Sequence, residues 1–117
     1  SVRNLVRELL TDIGVGDVSM ASSGQEALDL MRTYTPSIVI SDWHMQPIDG
    51  LALLKKVRSG QARIPSQTPI IFLTSENNAE KIHTVIRNGV DHVLVKPFNR
   101  SGVMRAIARI AQQQRPH

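Results

Sequence analysis

The stretch IVISD, residues 38–42, decides the fold, and WHMQPIDG, residues 43–50, follows it directly. The first stretch is an apolar run that ends in a carboxylate, and the second is rich in turn-forming residues. In an open parallel sheet, the loops after the carboxyl ends of the strands carry the chemistry. We therefore predict that Asp42 stands at the end of a buried strand, where it can act as a nucleophile or as a metal ligand.

The sequence on both sides of this stretch alternates between helical and strand patterns. Apolar residues recur at helical spacing in five segments and form short strand-like runs in four. The predicted helices cover residues 2–13, 24–31, 51–57, 78–88 and 101–114, and the predicted strands cover 18–21, 38–40, 70–73 and 93–95. This alternation predicts an α/β fold, a doubly wound parallel sheet with helices on both faces.

Three of the predicted helices have an apolar stripe that would pack against the sheet. The stripes consist of Leu51, Leu53, Leu54 and Val57 after Gly50, of Ile82, Val85 and Ile86 after a cap at Asn77 or Asn78, and of Val103, Met104, Ile107 and Ile110 in the last helix. Since aromatic residues make up only 3% of the chain, the core is expected to be aliphatic.

The composition restricts the class of protein. A chain of 117 residues corresponds to one domain. The absence of cysteine excludes disulfides and thiolate metal sites and suits the cytosol, so we expect a cytoplasmic protein. No apolar run approaches the ~18 residues that span a bilayer, so no membrane association is expected.

The formal net charge is +4, and the sequence pI is near 10.1. The basic residues form no dense run and have no interleaved aromatic residues. This pattern favours a solvated surface over direct nucleic-acid binding.

Three predicted strands end in three different reactive groups: Asp42, Thr74 and Lys96. Each residue taken alone is more often a helix cap, a local hydrogen-bond donor or an exposed turn. Together, at one edge of a parallel sheet, they suit a phosphoryl group bound to a carboxylate. Asp42 would attack phosphorus, Lys96 would neutralise the phosphoryl oxygens, and Thr74 would donate a hydrogen bond to one of them.

The motifs SDWHM at 41–45 with DG at 49–50, FLTS at 72–75 and VKPF at 95–98 resemble the receiver domain of two-component response regulators, chemotaxis regulators included. The resemblance implies a flavodoxin-like sheet of strand order 2-1-3-4-5. It also implies that Asp42 accepts phosphate from the phosphohistidine of a sensor kinase or a phosphotransfer protein. Thr74 would be the switch hydroxyl, and Lys96 would contact the phosphate.

The resemblance further implies a Mg²⁺ site and no enzyme activity beyond Mg²⁺-dependent self-phosphorylation and dephosphorylation. Asp42 and the main-chain carbonyl of His44 would be metal ligands, together with an acidic pair upstream. The Lys96–Pro97 peptide bond is often cis in the family.

The resemblance places the contact with a downstream protein on the fourth helix, fifth strand and fifth helix of the family, here residues 78–89, 92–95 and 102–113. A homodimer through this face is a further possibility. Many receivers carry Tyr or Phe where this chain has Val93, so gating by an aromatic ring is not expected. The connection at residues 59–69 is longer than usual and is a candidate partner contact or a tolerated insertion.

The chain begins inside the helix that follows the first strand of a receiver. We therefore expect residues 1–117 to be a receiver domain that is incomplete at its N-terminus, without the first strand and its acidic pair. If that pair is absent in nature too, the alternative is a pseudo-receiver that is not phosphorylated and acts as a dimerisation or docking module. A hydrolase with Asp42 as nucleophile would need a second carboxylate and a substrate pocket, and neither is evident in the sequence.

Overall fold

The computed structural model describes residues 24–42, 49–75, 77–97 and 99–113, with side chains as far as residue 110. The elements in chain order are α1 (Gly24–Leu30), β1 (Val39–Asp42), α2 (Gly50–Arg58), β2 (Ile70–Thr74), α3 (Ala79–Arg87), β3 (His92–Val95) and α4 (Arg100–Gln113). The chain divides into a unit of residues 21–97, which contains α1 to β3, and a unit of residues 1–20 and 98–117, which contains α4. None of the helices within the described ranges is long and apolar enough to cross a membrane.

The described strands form one parallel sheet with the order β1-β2-β3. This confirms the predicted α/β architecture with a parallel sheet. The three strands correspond to the last three of the predicted order 2-1-3-4-5. The predicted strand at 18–21 and the predicted helix at 2–13 lie outside the described residues.

The central strand, β2, is buried along its whole length. Ile70 and Phe72 on one of its faces belong to a core cluster that also contains Leu53 and Leu54 of α2 and Val85 of α3. Each of these five residues is fully buried. A continuous apolar run without alternation is typical of a strand that is covered on both faces, as predicted for residues 70–73.

The ends of α2 and α3 follow from local hydrogen bonds. A side-chain oxygen of Asp49 accepts from the amide of Ala52 at 2.9 Å and caps α2. Asn78, the second of the two predicted candidates, caps α3 by accepting from the amide of Lys81 at 3.2 Å. Such caps satisfy amides that have no partner inside the helix.

Two residues that were expected to face the core are exposed, so the prediction is wrong for both. Ile86 is 54% exposed, and Met104 is 38% exposed. In α3, the neighbouring Val85 is fully buried, so the next residue along the helix is rotated away by about 100°. In α4, the buried side chains are Val103, Ala106 and Ile110, which places Met104 beside the buried stripe rather than in it.

The connection between α2 and β2 is held by one side chain. The guanidinium of Arg58 donates to the carbonyl oxygens of Ser66 and Thr68 at 2.9 and 2.6 Å, and to that of Gly89 at 2.9 Å. It also forms a 2.8 Å ion pair with Asp91, whose same oxygen accepts from the amide of Ile70 at 2.7 Å. Arg58 therefore links the end of α2 to the residues that precede β2 and β3.

Candidate functional site

The three reactive residues predicted from the sequence lie at one edge of the sheet. Asp42 is the last residue of β1 and pairs in register with Leu73. Thr74 is the last residue of β2 and pairs with Val95, the last residue of β3. Lys96 follows Val95 directly. The parallel register thus brings the three positions to the same carboxyl edge.

Thr74 and Lys96 are joined through their main chains. The amide of Lys96 donates a 2.7 Å hydrogen bond to the carbonyl oxygen of Thr74. Thr74 is fully buried because it ends the central strand, whereas Asp42 and Lys96 are half-buried at the edge. A buried hydroxyl between a partly accessible acid and a partly accessible amine suits a small anionic ligand.

The separations between these residues follow from strand geometry. Neighbouring strands lie about 4.8 Å apart and rise about 3.3 Å per residue, so the Cα atoms of Asp42 and Thr74 are roughly 6 Å apart. The same spacings place the Cα atom of Lys96 roughly 12 Å from that of Asp42, two strands away. The four-carbon stem of a lysine and a phosphoryl group on Asp42 can span this separation together.

The loops that surround the edge are described in part. The loop after Asp42, residues 43–48, lies outside the described residues, and His44 with it. Ser75 is exposed, and the Lys96–Pro97 peptide bond is cis. Capping by Asp49 fixes the point where the loop after Asp42 enters α2. The sequence reasoning did not assign that role, although an Asp directly before an apolar helical run is a recognisable signal.

Among the described residues, one carboxylate at this edge has the chemistry of a magnesium ligand. Mg²⁺ is commonly held by one or two carboxylates together with phosphate oxygens and water. Asp42 offers one such carboxylate at the edge, whereas Asp49 is engaged as a helix cap. Within the described ranges, no three His, Asp or Glu side chains cluster as a metal site would require. The other expected ligand on this chain, His44, lies outside those ranges.

A parallel sheet with an acid, a hydroxyl residue and a lysine at neighbouring strand ends is compatible with a domain that takes up a phosphoryl group. The family model of the response regulator receiver domain matches residues 1–108. The chain belongs to this family.

Known relatives agree with this assignment. A chemotaxis protein CheY homolog of Campylobacter jejuni is 35% identical over 99 residues, which are 84% of this chain and 75% of that protein. The structure of the chemotaxis protein CheY4 of Vibrio cholerae superposes with a TM-score of 0.80 at 32% identity, over 93% of this chain and 88% of that one. A putative response regulator of Chloroflexus aurantiacus gives a TM-score of 0.84 at 27% identity, over 95% and 88%.

These comparisons confirm the flavodoxin-like receiver fold and the function in two-component signal transduction. Receiver domains are phosphoacceptors rather than enzymes of the usual kind, they generally bind Mg²⁺, and they interact with sensor kinases and downstream effectors. The alternative of a docking module without phosphorylation is not favoured.

Proposed function

We propose that Asp42 is the phosphoacceptor of this receiver domain, with Lys96 and Thr74 as its phosphate-binding and switch residues. The observation that carries the proposal is the shared register of the strand ends: Asp42 opposite Leu73, Thr74 opposite Val95, and the amide of Lys96 on the carbonyl of Thr74.

In the proposed reaction, a carboxylate oxygen of Asp42 attacks the phosphorus of a phosphohistidine on a sensor kinase or phosphotransfer protein. An O–P bond forms, and the N–P bond breaks with its electron pair returning to the imidazole of the donor. Lys96 neutralises the phosphoryl oxygens on Asp42, and positioning with charge neutralisation supplies most of the catalysis in such transfers. Mg²⁺ held by Asp42 and the main-chain carbonyl of His44 would add positive charge at the same oxygens.

The proposed output runs through Thr74. Its hydroxyl would turn toward the phosphoryl group, and the residues between Thr74 and α3 would follow. An aromatic ring has no part in this movement, because Val93 occupies the position that would hold it. This movement would shift the equilibrium between two conformations of α3 and β3.

The surface of α3 and β3 offers apolar anchors for a downstream protein. Ile86 is 54% exposed and Val95 is 37% exposed, so both present apolar surface to solvent. We propose that partner proteins bind these anchors as part of the predicted face at 78–89 and 92–95. A homodimer, a role in chemotaxis like that named for the relatives, and a cytoplasmic location belong to the same proposal.

The proposal is tested with beryllofluoride and Mg²⁺ on the full-length natural protein, with the fluorescence of Trp43, its only tryptophan within residues 1–117, as the readout. We expect a saturable change in the wild type and none in Asp42→Asn. Asp49→Asn is the matched control, since it also removes a carboxylate near the loop while asparagine preserves the helix cap. An equal response of the wild type and Asp42→Asn would refute the proposal.

A further inference from the structure

One internal segment of the chain is rich in basic residues and lacks acidic ones. Residues 50–75 contain Lys55, Lys56, Arg58 and Arg63 and no Asp or Glu. The chain has 14 Lys and Arg and 10 Asp and Glu, so removing these four cations leaves ten residues of each sign. The segment of α2, β2 and the connection between them therefore has a net charge of +4, while the net charges of residues 1–49 (−4) and 76–117 (+4) cancel each other.

Three of the four cations are available to an outside partner. The guanidinium of Arg58 is occupied by three carbonyl oxygens and Asp91. Lys55 and Arg63 are exposed, and Lys56 is half-buried. The amides of Gln61 and Ala62 both donate to the carbonyl oxygen of Lys56, at 2.9 and 3.2 Å. These bonds fold the connection back onto the end of α2 and keep Arg63 near the two lysines. We call Lys55, Lys56 and Arg63 the basic patch.

The basic patch rests on a fixed support. Arg58 holds the carbonyls of Ser66 and Thr68, and the side chain of Ile64 is buried in the core. A connection fastened at both its middle and its end loses little conformational freedom when a partner binds, so less of the binding free energy is spent on ordering.

The basic patch lies at the opposite edge of the sheet from Asp42. α2 begins after the loop that follows Asp42 and ends at Arg58, which contacts Thr68 and Asp91 before β2 and β3 begin. The nine residues of α2 span about 13 Å. A partner on the basic patch would leave the carboxyl edge of the sheet accessible to a phosphoryl donor.

We propose that the basic patch is a docking site for an acidic segment of a partner protein, used in the same way whether or not Asp42 is phosphorylated. Charge complementarity sets the chemistry of the partner. Basic residues in the last turn also suit the helix dipole, but that effect does not extend to Arg63.

Other anionic partners fit the basic patch less well. Binding to nucleic acid usually engages more phosphate contacts, about 6–10, and single strands add stacking on aromatic side chains. Recognition of an anionic membrane usually takes about 4–8 clustered cations. The exposed residues of the connection, Gln61, Pro65, Ser66 and Gln67 among them, include no large apolar side chain to insert into lipid.

The test is a titration of the full-length natural protein with a fluorescent deca-glutamate peptide at low salt. We expect Lys55→Gln, Lys56→Gln and Arg63→Gln combined to weaken binding about tenfold, since each exposed ion pair contributes modestly. The matched control is Arg32→Gln, Arg100→Gln and Arg115→Gln combined, which removes three cations outside both proposed partner surfaces and is expected to bind like the wild type.

Two further measurements sharpen the test. Equal thermal melts of both triple variants would show that folding is unchanged. Binding of the peptide that is unaffected by beryllofluoride and by Asp42→Asn would support docking independent of phosphorylation, even if the proposed phosphoacceptor failed its own test. Equal loss in the two triple variants would overturn the proposal, as would tighter binding of a DNA duplex or of anionic vesicles through the same three residues.

Discussion

The main-chain amide of Lys96 lies 2.7 Å from the carbonyl oxygen of Thr74 and donates a hydrogen bond to it. This bond extends the β2–β3 ladder one residue beyond the end of β3. The proposed phosphate-binding residue and the proposed switch residue are therefore joined by a direct main-chain hydrogen bond. Asp42 is connected to them only through the hydrogen bonds that pair β1 with β2.

The first prediction concerns the charge at residue 96. Lys96→Ala removes a charged donor to the phosphoryl oxygens, and a hydrogen bond to a charged group is worth about 1.5–3 kcal/mol. We expect the beryllofluoride concentration for half-maximal Trp43 response to rise roughly 10- to 100-fold. Lys96→Arg keeps the charge in a different geometry. Its half-maximal beryllofluoride concentration should therefore lie between those of the wild type and Lys96→Ala. Lys55→Ala, a cation at the other edge, should leave the response unchanged; a wild-type response from Lys96→Ala would contradict the assignment.

The second prediction separates phosphorylation from output at Thr74. Its side chain is fully buried, and no buried side-chain oxygen or nitrogen in the described part of the chain lacks a hydrogen-bond partner. Thr74→Ala should therefore reduce the free energy of unfolding by about 1–3 kcal/mol, because it leaves that partner unsatisfied.

The same variant should still take up phosphate from acetyl phosphate but lose the change in amide exchange over α3 and β3. Thr74→Ser keeps the hydroxyl and should retain that change, at a cost of about 1 kcal/mol for the lost methyl group. A full exchange response in Thr74→Ala would remove Thr74 from the switch.

The third prediction concerns the support at the opposite edge. Arg58 and Asp91 have side chains that are only 20% and 29% exposed, and Arg58 donates to four acceptors. Arg58→Ala should lower the free energy of unfolding in urea by about 2–4 kcal/mol. The neighbouring exposed Lys55→Ala should change it by less than about 0.5 kcal/mol.

A double-mutant cycle of Arg58→Ala with Asp91→Asn should give a coupling free energy of about 1 kcal/mol. Additive effects of the two substitutions would show that their ion pair adds nothing beyond the separate bonds each residue makes to the main chain.

The fourth prediction compares two glycines with positive φ. Gly60 has φ 82°, and a Cβ atom at this position would lie in open space. Gly60→Ala should therefore lower the free energy of unfolding only by the cost of placing alanine in a left-handed conformation, about 1–2 kcal/mol. Gly89 has φ 98°, and an added Cβ would lie 3.1 Å from Nε and 3.3 Å from Cδ of Arg58.

Gly89→Ala should therefore destabilise the domain more than Gly60→Ala in the same urea titration, because it also displaces the Arg58 side chain. In an Arg58→Ala background the difference should shrink. A difference that persists unchanged without Arg58 would mean that this contact is not its cause.

The sequence predicted the parts of the fold that depend on continuous local patterns. The run at 70–73 identified the central strand because a strand covered on both faces must be apolar throughout, and the polar residues at strand ends identified the candidate site. Ile86 and Met104 were assigned wrongly because helical spacing shows that a stripe exists but does not fix which edge of it faces the core.

The role of Arg58 could not be predicted from the sequence. Its acceptors are mainly main-chain carbonyls, which every residue has, and one of them, Gly89, lies 31 residues further along the chain. The contact depends on the tertiary packing of the α2–β2 connection against the turn before β3. No local sequence pattern predicts that packing.

The central claim is that the side chain of residue 42 carries the phosphoryl group, and direct mapping of the modified residue tests it. The full-length natural protein is phosphorylated with acetyl phosphate and Mg²⁺, reduced with borohydride to convert an acyl phosphate into a stable alcohol, and sequenced by tandem mass spectrometry. We predict homoserine at Asp42 in the wild type and an unmodified protein in Asp42→Asn. Homoserine at Asp49 or at any other acidic residue, with Asp42 unmodified, would contradict the account.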